Sequence, residues 1–485
     1  MIFKSQSVLA LGIILLIAIT LITPYYGSTD IGDYSDVAKY FAGDYAAKIR
    51  SSHSYLLGYL HVPFLAWMKS FFIFKITSLL FLAFLVYSVY VLSGRDKRAL
   101  WLIVFSPVVW YMAPWINPIQ LASIFLLWAY AFIVRYREEH AIRWLVYSGL
   151  LVGLGWAVWD TILYFGVILG LVFLYDRKIS HGTFFIVAII LGLLPRLLLD
   201  QYLFGFPFYT TIKTFISGFV NLSGGIYSQA YGQTPHTLRT LLPFLLAIPV
   251  LFWRLYHPRF FSQEKRSMIF LSISLLLLLT NPQIRYLLAL TPVMILIANK
   301  YTTPQLFKIH LWFSALILVL FVMPYALQIF FTMNHQIYGA EFSGVAQEGL
   351  SLTPGHLDRT LEDDLSLLAQ EYPDKTFVVG NGPDDYQVLA HYYWGIHVKE
   401  FVSIQDYQLV LRNESVLYTK RFEPEPRIAE RRQFWIEGGL KKNEHDNTDY
   451  KSIEYGLSLN EPLKLESFSV VKKYNLLYLS KKVKA

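Results

Sequence analysis

Cysteine is absent from all 485 residues, so disulfides, thiol catalysis and cysteine-ligated zinc are excluded. Charge is the second scarcity. Asp, Glu, Lys and Arg supply only 16% of the chain, against 55% hydrophobic and 17% aromatic residues, which is too apolar for an ordinary soluble protein. The shortage is uneven. Up to about Thr332 the sequence is apolar blocks joined by short polar connections, whereas from Glu341 onward no block is long enough to span a bilayer. A boundary in residues 333–340 therefore separates a membrane domain, 1–335, from a soluble domain, 341–485. Without disulfides, the soluble part must be held by its own core.

Apolar runs predict spans at 7–26, 72–92, 99–113, 119–134, 144–159, 161–175, 183–199, 238–253, 267–279, 284–297 and 311–331. The first follows a lone Lys4 and has no small-residue cleavage site, so it reads as an uncleaved span rather than a signal peptide. The expected fold class is thus an all-α polytopic domain of about eleven transmembrane helices, followed by a soluble α/β domain.

The net charge of +8 raises the question of nucleic acid, but the positions of the charges answer it. Lys and Arg resist translocation, so with a cytoplasmic N-terminus every second loop should be basic. The expected inner loops hold Arg95, Lys97 and Arg98; Arg135, Arg137 and Arg143; Arg177 and Lys178; Arg254, Arg259, Lys265 and Arg266; and Lys300 and Lys308. The outer connections at 114–118 and at Asp160 hold neither Lys nor Arg. An odd number of spans then carries the soluble domain to the extracytoplasmic side, together with the long loops 27–71 and 201–237. Loops of that length on a helical scaffold are where chemistry is expected.

The first outer loop opens with Asp30, Asp33 and Asp36 at three-residue spacing. On a helix they share one side, and a carboxylate crowded by others is a candidate general base. The alternative is that Asp30 caps a helix while Asp33 and Asp36 face water. Asp160 lies between two spans, Asp200 follows Arg196 at the end of another, and Arg285 and Tyr286 open the tenth. For Asp160 an N-cap is the favoured reading. Arg285 is unusual at an outer face, and its planar donors suit a lipid phosphate. His53 and His61 could bind metal, hydrogen-bond a sugar or pack at the interface. They are eight positions apart without tight ligand spacing, so a divalent metal is possible but not expected, and no cofactor is certain.

These residues resemble a known group, the GT-C glycosyltransferases that take a sugar from a polyprenyl-phosphate carrier. Protein O-mannosyltransferases and lipid A aminoarabinose transferases carry D-E-x-x-Y in the first outer loop. Asp30-Ile31-Gly32-Asp33-Tyr34 keeps the Asp and the Tyr but lacks the Glu. The D-x-D and Tyr motif of the GPI mannosyltransferases offers a second register, in which Asp33 precedes Tyr34. The stretch Tyr59-Leu60-His61-Val62-Pro63 is similar to the segment leading into the second span, and Arg285-Tyr286-Leu287-Leu288 with Pro292 to the R-[FY]-L-L-x-x-x-P of a late span. The W-W-D-Y-G motif of oligosaccharyltransferase catalytic subunits is absent.

The resemblance implies an inverting transferase. Asp30, or failing that Asp33, would be the catalytic base, with Tyr34, Asp36, His53, His61, Asp160, Arg285 and Tyr286 around the substrates. The partners implied are a polyprenyl- or dolichyl-phosphate sugar, with mannose as first expectation, an acceptor hydroxyl on a glycan, lipid or protein, and the bilayer. A lipid-linked glycan transporter or flippase is the rival; it would call for polar groups at mid-membrane or internal repeats. In the soluble domain, a helix at 361–371, a strand at 376–379 and the glycine-rich turn from Gly380 predict an α/β unit. The charged stretch 423–449 predicts a loop.

Overall fold

The computed structural model describes residues 5–22, 34, 37–38, 41, 54–67, 72–212, 214–215, 264–278, 284–322, 359–373, 375–380, 400–412, 417–419, 442–444 and 451–483. The membrane half is helical: α1 (Ser5–Ile22), α2 (Leu56–Trp67), α3 (Phe72–Leu92), α4 (Lys97–Val104), α5 (Pro107–Met112), α6 (Ile119–Glu139), α7 (Ile142–Val158), α8 (Thr161–Leu174), α9 (Ile179–Phe204), α10 (Lys265–Leu278), α11 (Ile284–Tyr301) and α12 (Pro304–Ile317). The predicted run 238–253 lies outside the described residues, as do 23–26, 279 and 323–331 of three others; the described parts of the remaining runs are mainly helical. By length and composition three helices can cross a membrane: Phe72–Leu92, Ile119–Glu139 and Ile179–Tyr202. The count of about eleven is therefore not reproduced among the described residues.

Two local features depart from the sequence reading. The run 99–113 is not one helix, because Ser106 takes extended backbone ahead of Pro107 and separates α4 from α5. Proline disfavours helical geometry in the residue before it. Trp110 Nε1 donates to the Val104 carbonyl at 2.6 Å, satisfying an acceptor that the break leaves. The second departure is α2, an apolar helix inside the stretch read as outer loop.

Helix ends are fixed by polar side chains. Asp96 caps α4, accepting from Arg98 N at 2.8 Å and from Asn299 Nδ2 at 3.1 Å. The Arg98 guanidinium beside it holds its carboxyl below the usual range. Arg98 Nη1 donates to the Thr302 carbonyl at 2.9 Å, tying this turn to the end of α11.

α7 and α9 pack at backbone contact. Gly149 and Gly153 on α7 meet Phe185, Ala188, Ile189 and Gly192 on α9, a small-xxx-small pattern that lets helices approach closely without aqueous hydrophobic drive. This contact sets the distance between the helix ends that carry Asp160 and Arg196.

The C-terminal domain contains α13 (Arg359–Glu371), β1 (Thr376–Val379), β2 (Glu400–Ser403), α14 (Ile404–Leu411), β3 (Leu417–Thr419), β4 (Lys442–Glu444), β5 (Tyr455–Leu459), β6 (Phe468–Lys473) and β7 (Leu477–Lys482). The expected helix and first strand are present. The five-stranded sheet has the order β2-β1-β5-β7-β6, parallel from β2 to β5 and antiparallel from β5 to β6. Residues 442–444, expected in a loop, form β4 and pair antiparallel with β3. One apolar cluster joins Leu361, Leu365 and Phe377 of this domain to Ala38, Leu65 and Phe74. The C-terminal domain is thereby packed against Ala38, α2 and the start of α3.

Buried Asp364 organises the domain from α13. Its carboxylate accepts from Asn475 Nδ2 at 2.9 Å, Leu476 N at 2.6 Å and, at 3.3 Å each, Asn475 N and Leu477 N. Asp364→Ala leaves these donors without an acceptor and should destabilise the domain by on the order of 3 kcal/mol. Limited proteolysis of membranes should then release fragments from beyond residue 359 while the membrane half stays intact. A wild-type digestion pattern would contradict this assignment.

Candidate functional site

The C-terminal ends of α7 and α9 hold a polar network among largely apolar helices. Asp160 follows α7 by way of Trp159 and precedes α8, yet its side chain makes no capping hydrogen bond, so the N-cap reading does not hold. It pairs instead with Arg196 of α9, whose side chain is 0% exposed against 19% for Asp160. Arg196 Nη1 donates to Asp160 Oδ1 and, at 3.2 Å, to the Trp156 carbonyl, while Nε donates to Thr210 Oγ1 at 2.9 Å. Thr210 passes the contact on, donating from its hydroxyl at 2.7 Å and its backbone N–H at 2.9 Å to Asp200 Oδ2. Thr214 Oγ1 lies 3.3 Å from Asp160 Oδ2.

A fully buried guanidinium in an apolar helix is costly to desolvate, and it persists only where paired and hydrogen-bonded. Here one carboxylate, one hydroxyl and one carbonyl take three of its donors. Arg196 Nη2, Asp200 Oδ1 and Thr211 Oγ1 are buried without a partner among the described residues. A rigid cation with a donor to spare, beside a partly exposed carboxylate, is suited to hold Asp160 in one orientation.

The first outer loop reaches the same place. Tyr34 is buried against Leu57 of α2 and Val158 at the end of α7. Gly58 of α2 lies so close to that loop that a Cβ there would stand 2.6 Å from the Tyr34 carbonyl oxygen and 2.7 Å from Val37 Cβ. Ser54, ahead of α2, donates to the carbonyl of Ala157. Tyr34, two positions before Asp36 and next to Asp33, is thus packed within two residues of the Trp159-Asp160 turn.

Tyr286 joins from α11. Its ring lies 5.5 Å from that of Trp159, and the Arg285 guanidinium stands 5.2 Å from the Tyr286 ring. Of the expected site residues, Tyr34 and Tyr286 therefore reach the turn that carries Asp160, and Arg285 lies against the Tyr286 ring. His61 does not present a free nitrogen: Nδ1 engages the Leu57 carbonyl at 2.7 Å, Nε2 engages Thr77 Oγ1 at 2.6 Å, and the ring stacks on Phe74 at 4.3 Å. It packs α2 against α3. Asp30, Asp33, Asp36 and His53 lie outside the described residues. Among the described residues no three His, Asp or Glu side chains gather as metal ligands.

Arg196, Thr210 and Thr214 were not expected at the site. Arg196 and Asp200 did stand out as ionisable residues four apart at the end of an apolar run. Nothing in the sequence linked either to Asp160, 36 positions from Arg196.

No protein-family model matches this chain, and no curated protein matches its sequence. Its structure does have counterparts. It is similar to ArnT, the aminoarabinose transferase of Cupriavidus metallidurans, in the crystal structure bound to undecaprenyl phosphate, with a TM-score of 0.59 and 11% identity over 100% of this chain and 99% of that one. The apo form of the same protein gives a TM-score of 0.55 and 11% identity, covering 99% and 98% of the two chains. An apo oligosaccharyltransferase of Archaeoglobus fulgidus aligns over 94% of this chain and 70% of its own, with a TM-score of 0.48 and 12% identity. The chain shares the overall fold of ArnT, a GT-C glycosyltransferase.

Proposed function

We propose that this chain of GT-C fold is an integral membrane glycosyltransferase that takes a sugar from a polyprenyl-phosphate carrier and transfers it, with inversion, to an acceptor hydroxyl on the extracytoplasmic side. The observation that carries the reading is the Asp160 carboxylate, locked by buried Arg196 beside the packed Tyr34 and the Arg285-Tyr286 pair. The likeness to ArnT, crystallised with undecaprenyl phosphate, supports a lipid-phosphate donor.

In the proposed reaction, Asp30 or Asp33 removes the proton of the acceptor hydroxyl, whose oxygen attacks the anomeric carbon. The bond to the lipid phosphate breaks on the opposite face, and the phosphate leaves with the bonding electrons. Arg285 offers planar donors to the phosphate as its charge grows, a contact strongest in the transition state. Asp160, Tyr34, Asp36 and Tyr286 line the acceptor and donor path, with His53 a further candidate and His61 supporting the α2 wall. Mannose is the proposed sugar.

The test is transfer from radiolabelled polyprenyl-phosphate-mannose in membranes holding wild type, Asp30→Asn or Asp33→Asn at matched protein level. Loss of the base should lower transfer about a hundredfold or more, with the other variant active. Absence of transfer by wild type from any lipid-linked sugar, with cellular glycans unchanged on deletion, would favour a transporter instead.

A further inference from the structure

We infer that the end of the bundle opposite Asp160 carries a binding site for an anionic phospholipid headgroup, built from Arg137, Arg177 and Arg266. α8 places this site. Asp160 precedes its first residue and Asp176 follows its last by two, and 14 helical residues span about 21 Å, so the two clusters lie at opposite ends of one helix.

At the Asp176 end, the C-termini of α6 and α8 meet the N-termini of α9 and α10. Arg137 forks onto Asp176, with Nη1 at 2.7 Å from Oδ1 and Nη2 at 3.0 Å from Oδ2, and Arg266 Nη2 reaches Oδ2 at 2.7 Å. One carboxylate is thus shared by two guanidiniums. Arg177 turns to a weaker acceptor, with Nη2 3.1 Å from His140 Nδ1. Nearby acids are engaged elsewhere: Glu139 with Arg135, Arg143 and Trp144 Nε1, and Glu264 with Lys300, Ser267 and Tyr301. The local balance is positive.

Two donors lack acceptors. Arg177 Nε and Arg266 Nε are buried and make no hydrogen bond among the described residues. Those two atoms are closed to a ligand, but they show that neither guanidinium is saturated within the protein; with one carboxylate shared by two arginines and Arg177 on an imidazole, the remaining positive charge suits a phosphate, the anion that a planar guanidinium fork fits best.

The surroundings select a lipid over a free anion. Tyr175, whose ring lies 5.5 Å from the Arg266 guanidinium, is 72% exposed, and Ile179 is 89% exposed. Leu171, one turn back on α8, is also exposed. Apolar side chains beside a cluster of guanidiniums in excess of their carboxylate match a molecule with a phosphate at the bilayer surface and acyl chains below it. This inference uses a different end of the protein from the proposed reaction and does not depend on it.

The test titrates the full-length protein in maltoside micelles with phosphatidylglycerol, phosphatidylcholine or inorganic phosphate, and counts bound lipid by native mass spectrometry. Phosphatidylglycerol should be preferred over phosphatidylcholine, and R177Q/R266Q should lose about 25-fold in phosphatidylglycerol affinity, at about fivefold per cation removed. R177K/R266K, which keeps the charge, should lose less. Equal wild-type affinity for the two lipids would overturn the site without need of a variant. So would undiminished phosphatidylglycerol binding by R177Q/R266Q. Displacement of phosphatidylglycerol by an equal concentration of inorganic phosphate would overturn the lipid assignment.

Discussion

Arg196→Met should lower stability by about 3 kcal/mol and remove most sugar transfer, because it strips the buried partner from Asp160 and leaves Thr210 and the Trp156 carbonyl without their donor. Methionine roughly fills the volume and extends the apolar face of α9, so the loss reports the polar network rather than a cavity. Arg196→Lys keeps the charge, but a single ammonium cannot reproduce the fork that meets Asp160 and Thr210 from different nitrogens. It should recover stability more than activity. Asp160→Asn in the Met background should cost little more stability, since the unpaired charge is then gone. Thermal unfolding in detergent and transfer at saturating donor separate these effects. Wild-type stability and transfer in Arg196→Met would show that the pair neither holds the helix ends nor orients Asp160.

A side chain at the α7–α9 crossing should be more damaging still. A Cβ on Gly153 would stand 2.1 Å from the Ile189 carbonyl oxygen and 2.8 Å from Gly192 Cα, and one on Gly192 would stand 2.1 Å from the Leu150 carbonyl oxygen. These obstacles are backbone, so neither helix can yield by changing a rotamer. Gly153→Ala should cost at least about 3 kcal/mol, at the upper end for overpacking, and Gly153→Leu should leave no monodisperse protein after extraction. Forcing the helices apart also draws Arg196 away from Asp160, so surviving Gly153→Ala protein should lose transfer as well. Gly182→Ala is the control. It lies on α9 with nothing within 4 Å of an added Cβ, and helix propensity favours alanine there by about 1 kcal/mol. Size-exclusion profiles of the three variants decide the matter, and equal behaviour of Gly153→Ala and Gly182→Ala would refute the close crossing.

The parts of the site that were legible in the sequence share one property: each is a polar residue where hydropathy makes it conspicuous. Asp160 and Arg285 interrupt apolar runs at their ends, and Tyr34 sits in a motif with recognisable spacing. Their order along the chain and their position relative to the spans predict one layer, and within it Tyr34 and Tyr286 approach the turn that carries Asp160. Partnership was not legible. The N-cap reading of Asp160 was reasonable from its place before α8, but the carboxylate turns across to α9 because a buried guanidinium needs a counter-charge more than an exposed helix end needs a cap. His61 read as a possible ligand; both its nitrogens serve packing between α2 and α3.

By itself the sequence determined the helical course of most apolar runs, the α/β character of the C-terminal part and the absence of thiol chemistry. These follow from composition and periodicity, which act locally and need no knowledge of neighbours. Only the tertiary structure decided which ends meet: Gly153 against Gly192, Arg196 with Asp160 and Thr210, Tyr34 against Val158, and Tyr286 against Trp159. Those pairings join residues tens to hundreds of positions apart. They are set by how closely helix backbones approach and by the requirement that every buried charge find a partner, and neither condition is written in any single stretch of chain.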